Sequence, residues 1–223
     1  MTKNEVTLEA IKADPQVQAY LRRADETLKV LNYTEHGPRH AELVSNIAKN
    51  TMIYLGRSQR LAELSAIAGY LHDVGNLVLR EYHPLASALF SAPILEKLGM
   101  DYDELALVLS AMGNHEEDQG EPVNEVAAAV ILADKTDVHR SRVRDKSEIS
   151  FDIHDRVNYA VTRSFLATDA KAKTITLELE TDPKISSVME YFEIFLSRML
   201  MVRRASLFLG CTFHLVINGN QMV

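Results

Sequence analysis

Apolar residues recur at intervals of three and four positions through the first two-thirds of the chain, which is the period of an amphipathic helix. One such segment begins near Pro15, and the next begins at Pro38 and ends near Gly56. Ser58 can cap a third helix that runs toward Gly75, a residue suited to ending it. Further helices are expected at 84–98, 101–111 and 124–137.

The pattern changes after about residue 150. Alternating apolar residues predict a strand over 174–180, a long helix is expected from residue 186 to about 208, and a second strand is expected over 212–217. We therefore predict a mostly α fold with two domains. Residues 1–150 form a helical domain, and residues 151–223 form a small α+β appendage packed on it.

The charge and the cysteine count narrow the class of protein. The chain has 223 residues and a formal net charge of −7, which argues against sequence-independent binding to nucleic-acid phosphates. Cys211 is its single cysteine, so no intramolecular disulfide can form. The N-terminus lacks the apolar segment of a signal peptide, and the apolar stretch 192–217 is interrupted by arginines. A cytoplasmic protein with no membrane segment and no sequence-specific nucleic-acid partner is expected.

The candidate chemistry lies in the histidines and two aspartates. His72 and Asp73 come at the end of an amphipathic helix, and Asp134 follows the apolar run Ala-Val-Ile-Leu-Ala. A carboxylate next to an apolar core, and near a helix C-terminus, is unfavourable unless a cation compensates it. Imidazole together with carboxylate suits iron, manganese, zinc and similar ions. These residues therefore predict a metal site.

Four strings in this order carry a resemblance to a known family: GPRHAELV, GYLHDVGN, NHEE and ILADKTD. Over roughly residues 30–145 the chain resembles the HD-domain metalloprotein superfamily. It looks most like the HD-GYP branch, whose members hydrolyse cyclic dinucleotides, because EYHPLASALF, NHEEDQGEP and ILADKTDVHRSRVR are similar to segments of that branch. The resemblance implies an HD-domain helical bundle.

The resemblance also implies a ligand set. It places metal ligands at His40, His72, Asp73, His83, His115 and Asp134. Asp73 would bridge two divalent transition-metal ions, iron or manganese, and would be the catalytic carboxylate. His36 falls where some members of the superfamily have an additional ligand.

Departures from the HD-GYP pattern bear on the substrate. Asn76 stands where that branch usually has a lysine, and Asn114 replaces the first histidine of a pair. The segment between Asp73 and His83 is shorter, and the Gly-Tyr-Pro tripeptide is absent. These differences argue against a cyclic dinucleotide, while the six remaining ligands suffice for a dinuclear site.

The function expected from the resemblance is hydrolysis of a small phosphomonoester or phosphodiester, nucleotide-like in character, by water activated between two metal ions. Residues that would hold the substrate are Asn76, Arg39, Lys135, Arg140 and Arg144.

Two other interpretations remain open. One alternative, motivated by the replacements at Asn76 and Asn114, is a catalytically reduced signalling or interaction module of the HD type that retains metal. An all-helical ligand sensor without metal is the third. The long C-terminal helix fits either the core or the surface of a homodimer.

Overall fold

The computed structural model describes residues 5–144 and 152–223. Helices make up most of these residues, and a small sheet lies near the C-terminus, which confirms the prediction of a mostly helical chain with a small C-terminal sheet. The α-helices are α1 (Leu8–Ala13), α2 (Pro15–Val30), α3 (Pro38–Tyr54), α4 (Gln59–Leu71), α5 (His83–Lys97), α6 (Tyr102–Gly113), α7 (Glu125–Lys135), α8 (Ile153–Ala160) and α9 (Val188–Phe208). The strands are β1 (Val161–Asp169), β2 (Thr174–Thr181), β3 (Thr212–Ile217) and β4 (Asn220–Gln221).

Local chemistry determines where the first helices begin. Pro15 and Pro38 each occupy the first position of a helix, where the missing N–H is not needed. The Asp14 carboxylate caps α2, and the Ser58 hydroxyl caps α4 by accepting a hydrogen bond from the Leu61 N–H at 3.1 Å. The predicted starts of these three helices are confirmed.

Helices α1 and α8 and strand β1 were not expected from the sequence. In β1 only Val161 is buried, and exposed and half-buried residues follow without regular alternation. An edge strand with one neighbour shows this weak pattern, since its partner strand supplies the hydrogen bonds that hold it.

The sheet has the order β1-β2-β3-β4. Strands β1 and β2 form an antiparallel hairpin, whereas β2 and β3 are parallel and are joined through α9. Ile175, Leu177 and Leu179 of β2 are buried, and each lies beside a buried residue of β3. Asn218 and Gly219 follow β3, and both have the positive φ angles of a tight turn, which leads into β4.

Helix α7 lies at the centre of the protein. All residues from Val126 to Lys135 are buried, so this helix is enclosed on every side. Some of its apolar residues pack into a core shared with α4, α5 and α6, and others pack into a core shared with α3, α9 and the sheet. The C-terminal elements thus complete the core around α7. The predicted domain boundary near residue 150 lies outside the described residues.

The apolar helices α7 and α9 pack in the core of the protein. Helix α7 is short, and α9 is interrupted by Arg198, Arg203 and Arg204. No helix in the described part of the chain has both the length and the hydropathy that a membrane span requires.

Gly75 provides a test of the packing beside α5. A Cβ atom there would lie 2.2 Å from the His83 carbonyl oxygen and 2.5 Å from the Ser87 nitrogen. Gly75→Ala should therefore lower the free energy of unfolding by about 2 kcal/mol or more, because backbone atoms have to move. Gly113→Ala is the control, since its Cβ would meet nothing within 4 Å. Equal urea denaturation midpoints for both variants would contradict this close approach.

Candidate metal centre

The six side chains predicted as metal ligands meet at one point inside the protein. His40 comes from the first turn of α3, the His72-Asp73 pair from the end of α4, His83 from the start of α5, His115 from just beyond α6 and Asp134 from the last turn of α7. All six are buried. Five helix ends therefore converge on the cluster.

The turn after α4 fixes the central pair. Leu71 ends α4 in the core, and a 3-10 helix, Val74–Leu77, follows directly. Within this turn the Asn76 amide donates hydrogen bonds to the carbonyl oxygen of Asp73 at 3.0 Å and to Oδ1 of Asp73 at 2.8 Å. Asn76, predicted to contact substrate, thus orients the central carboxylate.

One set of ligand atoms, the first group, consists of His40 Nε2, His72 Nε2, Asp73 Oδ2 and Asp134 Oδ1. His40 Nε2 lies 3.2 Å from His72 Nε2, 3.2 Å from Asp134 Oδ1 and 3.7 Å from Asp73 Oδ2. His72 Nε2 lies 3.5 Å from Asp73 Oδ2 and 3.6 Å from Asp134 Oδ1. Ligand atoms that each bind one ion at about 2.0–2.2 Å are separated from one another by distances like those measured in this group.

The second group consists of His83 Nε2, His115 Nε2 and Asp73 Oδ1. The two nitrogens are 2.9 Å apart, and Asp73 Oδ1 lies 3.2 Å from His83 Nε2 and 4.0 Å from His115 Nε2. Glu116 Oε2 lies 3.5 Å from His83 Nε2 and can add a fourth ligand atom, an oxygen, to the second group.

Asp73 belongs to both groups. Its Oδ2 contacts the first group, and its Oδ1 contacts the second. Among the described residues, Asp73 Oδ2 is buried with no hydrogen-bond donor. A buried carboxylate oxygen without a donor requires a cation near it.

The outer nitrogen of each histidine is anchored. Nδ1 of His72, His83 and His115 donates to the backbone carbonyl three residues earlier, at 2.7, 2.7 and 2.6 Å. Nδ1 of His40 donates to Asp137 Oδ2 at 2.7 Å. Because Nδ1 is the donor in each case, the lone pair of Nε2 is directed into the cluster, as in metal-bound histidines.

The cluster needs positive charge. Two Nε2 lone pairs at about 3 Å repel each other unless a proton or a metal ion lies between them. Burial alone would lower the pKa of His40, but hydrogen bonds to Asp134 and Asp137 raise it to about 9, so without metal a proton occupies this position. Burial, with His72 and His83 nearby, lowers the pKa of His115 well below its usual value, which keeps it neutral and able to bind metal.

Asp137 contacts a candidate ligand and was not predicted from the sequence. Its carboxylate accepts from His40 Nδ1 and from Arg39 Nη2 at 2.8 Å, and Arg142 donates to its carbonyl oxygen at 2.6 Å. Burial alone would raise the pKa of Asp137, but Arg142, His40 and Arg39 hold it well below its usual value. Arg39, predicted to hold substrate, therefore supports a carboxylate that orients a ligand. The sequence feature that could have indicated this role is the position of Asp137, three residues after Asp134 in ILADKTD.

Lys135 is enclosed by carboxylates. Its Nζ lies 2.9 Å from Asp134 Oδ2, 2.6 Å from Glu117 Oε2 and 3.5 Å from Glu116 Oε2. Burial would lower the pKa of Lys135, but these three carboxylates raise it above its usual value. Lys135 is therefore a fixed positive charge within the cluster, and its ammonium group is already fully paired.

Three other predicted residues make contacts outside the six-ligand cluster. Nε2 of His36 accepts a hydrogen bond from Arg142 Nη2 at 2.7 Å. Arg144 forms an ion pair with Asp25, and the Arg140 guanidinium lies over the ring of Tyr159. The structure does not bring His36 into the ligand set, and Arg140 and Arg144, predicted to hold substrate, contact Tyr159 and Asp25.

Two arginines that the sequence did not indicate lie at the open side of the cluster. Arg80 Nη1 lies 3.1 Å from His83 Nε2 and 3.9 Å from Asp73 Oδ1. Arg198 of α9 donates to Glu117 Oε1 at 3.0 Å. Arg80 precedes His83 by three residues, whereas no local pattern marks Arg198, because it reaches the cluster only through the packing of α9 on α7.

A cavity of about 370 Å³ adjoins the cluster. It shares His36, Arg80 and Arg198 with the walls of the cluster. Apart from Leu31, its other lining residues are polar or aromatic and include Tyr33, Thr34, His154, Asn158 and Phe195. The cavity is of the size that small ligands occupy in proteins.

The described residues therefore can hold a metal ion. Three features suit these residues to a metal ion: the Asp73 oxygen without a hydrogen-bond donor, the facing imidazole nitrogens and the anchored Nδ1 atoms. A donor set of imidazole nitrogens and carboxylate oxygens suits first-row transition metals.

Comparison with known proteins gives no function. No family model matches the chain. An uncharacterized protein of Methanocaldococcus jannaschii is 28% identical over 184 residues, which cover 72% of this chain and 70% of that protein. The likeness extends over most of both chains.

The contact between Asp137 and His40 generates a prediction for metal binding. Asp137→Asn should weaken Mn²⁺ binding by about 10- to 100-fold, because the amide is a poorer acceptor for His40 Nδ1–H and no longer pairs with Arg39 and Arg142. Asp169→Asn, at the exposed end of β1, should leave the affinity unchanged. Titration calorimetry measures both variants. Equal affinities would show that Asp137 does not support the ligand.

Proposed function

We propose that this chain is a divalent-metal phosphohydrolase of the HD type, which hydrolyses a phosphate ester with two metal ions. The observation that carries the proposal is Asp73, whose two carboxylate oxygens face separate groups of histidines. A carboxylate shared in this way is what a two-metal site requires of its bridging ligand.

The proposed ligands follow from the two groups. His40, His72, Asp134 and Asp73 Oδ2 would hold one ion, and His83, His115 and Asp73 Oδ1 would hold the other, with Glu116 beside it. Iron or manganese suits this mixed set. When bound, such ions lower the pKa of water and neutralise phosphate oxygens.

The chain's own residues would bind and orient the substrate. The Arg80 guanidinium lines both the cluster and the cavity and is 22% exposed, so a phosphate in the cavity can reach it. Arg198 lines the same passage from the opposite element, α9. We assign to these two arginines the phosphate-holding role that the sequence had assigned to Arg39, Lys135, Arg140 and Arg144.

The cavity suggests the size of the substrate. Its volume of about 370 Å³ suits a phosphomonoester or phosphodiester whose organic part is a nucleoside or smaller. Tyr33 and Phe195 provide aromatic surface, and Thr34 and Asn158 provide hydrogen-bonding groups.

A catalytically reduced HD-type signalling module that retains metal is the second candidate. It is favoured by Lys135 and Asn76, whose polar groups are occupied by neighbouring carboxylates and are not available to a substrate. This candidate keeps the metal and loses turnover.

The test is phosphate release by protein purified without chelator and loaded with Mn²⁺, on a panel of phosphomonoesters and phosphodiesters. We expect two ions per chain by elemental analysis and turnover that requires Mn²⁺. Asp73→Asn should lower kcat by about 100-fold or more and reduce the metal content, because both ions share this ligand. Asp118→Asn, exposed in the loop after His115, should change neither. Two bound ions without turnover on any ester would favour the signalling module.

Arg80→Ala tests the phosphate-holding role. Loss of charge-assisted hydrogen bonds to the substrate should raise KM by about 10- to 100-fold, while metal content stays at the wild-type value. Arg80→Lys should restore part of the affinity, and Arg22→Ala, exposed on α2, is the matched control. An unchanged KM in Arg80→Ala would exclude this role.

A further inference from the structure

A stripe of exposed side chains runs along the outer face of α9. It consists of Met189, Glu193, Leu196, Leu200, Arg203 and Leu207, all of them exposed. The intervals between them alternate between four and three residues, which is the spacing of a helix that packs along another helix. The opposite face of α9 is buried in the core through residues such as Tyr191, Phe195 and Val202.

The composition of this stripe is unusual for a solvent-facing surface. Four of its six positions are large apolar residues, and Met189 and Leu207 are 76% and 61% exposed. Single exposed apolar residues are common, but a continuous row on one helix indicates a surface that another protein covers.

The order of the residues points to the partner. In an antiparallel pair of α9 helices centred between Leu196 and Leu200, Leu196 opposes Leu200 of the second copy and Met189 opposes Leu207 of the second copy. In the same register Glu193 opposes Arg203 of the second copy. In a parallel pair, by contrast, Glu193 would oppose Glu193 and Arg203 would oppose Arg203.

The two charged residues are available for this pairing. Both are exposed, and within the described ranges neither forms an ion pair with another side chain of its own chain. Because a two-fold axis repeats each contact, the pair of α9 helices would contain two ion pairs and four apolar layers. Apolar layers and opposite charges therefore match in one and the same register.

We propose that two copies of this chain associate through α9, in an antiparallel arrangement about a two-fold axis that passes near residue 198. The occupant of the stripe is the same stripe of a second copy. The proposal rests on α9 alone and does not depend on the proposed enzymatic function.

Charge reversal tests the register. Glu193→Arg alone, or Arg203→Glu alone, places like charges opposite each other twice and should raise the dimer dissociation constant by about tenfold or more. The double variant, Glu193→Arg with Arg203→Glu, restores opposite charges and should return the constant close to that of the wild type. Sedimentation equilibrium from about 1 µM to about 1 mM covers the range of such affinities.

A second pair of variants tests the apolar layers. Leu196→Glu combined with Leu200→Glu should give a folded monomer whose far-UV circular dichroism spectrum matches that of the wild type, since both residues lie outside the core. Leu85→Glu combined with Leu89→Glu, exposed on α5, is the matched control and should remain dimeric. A wild-type protein that is monomeric at every concentration, or a dimer that neither α9 set weakens, would overturn the proposal. Weakening by single reversals without rescue in the double variant would overturn the antiparallel register.

Discussion

The buried Asp73 carboxylate lies between two pairs of facing imidazole nitrogens, and this arrangement is stable only with positive charge at its centre. An isolated buried carboxylate costs several kcal/mol, and no donor among the described residues reaches Asp73 Oδ2. The carboxylates around the cluster are themselves paired with basic side chains. Asp134 is paired with Lys135 and Asp137 with Arg39, so that each carboxylate near the cluster has a cation on its far side. A site built in this way neutralises its own acids and still leaves a central place for metal.

The geometry of the cluster depends on helix ends. The last carbonyl groups of a helix have no partner within the helix. His72 and His115 follow α4 and α6, and their Nδ1 atoms donate to such carbonyls, those of Gly69 and Met112. One hydrogen bond therefore satisfies the end of the helix, fixes the tautomer of the ring and directs Nε2 into the cluster. This explains why ligands at the ends of helices suit the site: the backbone already needs the donor that the ring offers.

The sequence was informative where a residue's setting is local. The His72-Asp73 pair before Gly75 and the buried Asp134 after its apolar run were both predicted as members of the site, and the structure brings them together with His40, His83 and His115. The sequence was less informative about the ion-pair partners of long basic side chains, because these partners can lie far away along the chain. Arg39, Arg144 and Lys135 are basic residues near ligands in the sequence, but each pairs with a carboxylate that only the fold brings close: Asp137, Asp25 and Glu117. Arg198, more than 60 positions from the nearest ligand, reaches the cluster through α9, which no periodicity in the sequence could place on α7.

The C-terminal elements have a structural reason to accompany the helical part. Helix α7 is apolar on every side and carries Asp134 at its end, so it needs a cover on the face that α3 to α6 leave open, and α9 with the sheet provides it. The same helix contributes Arg198 to the passage between cluster and cavity on its inner side, while its outer side carries the exposed stripe.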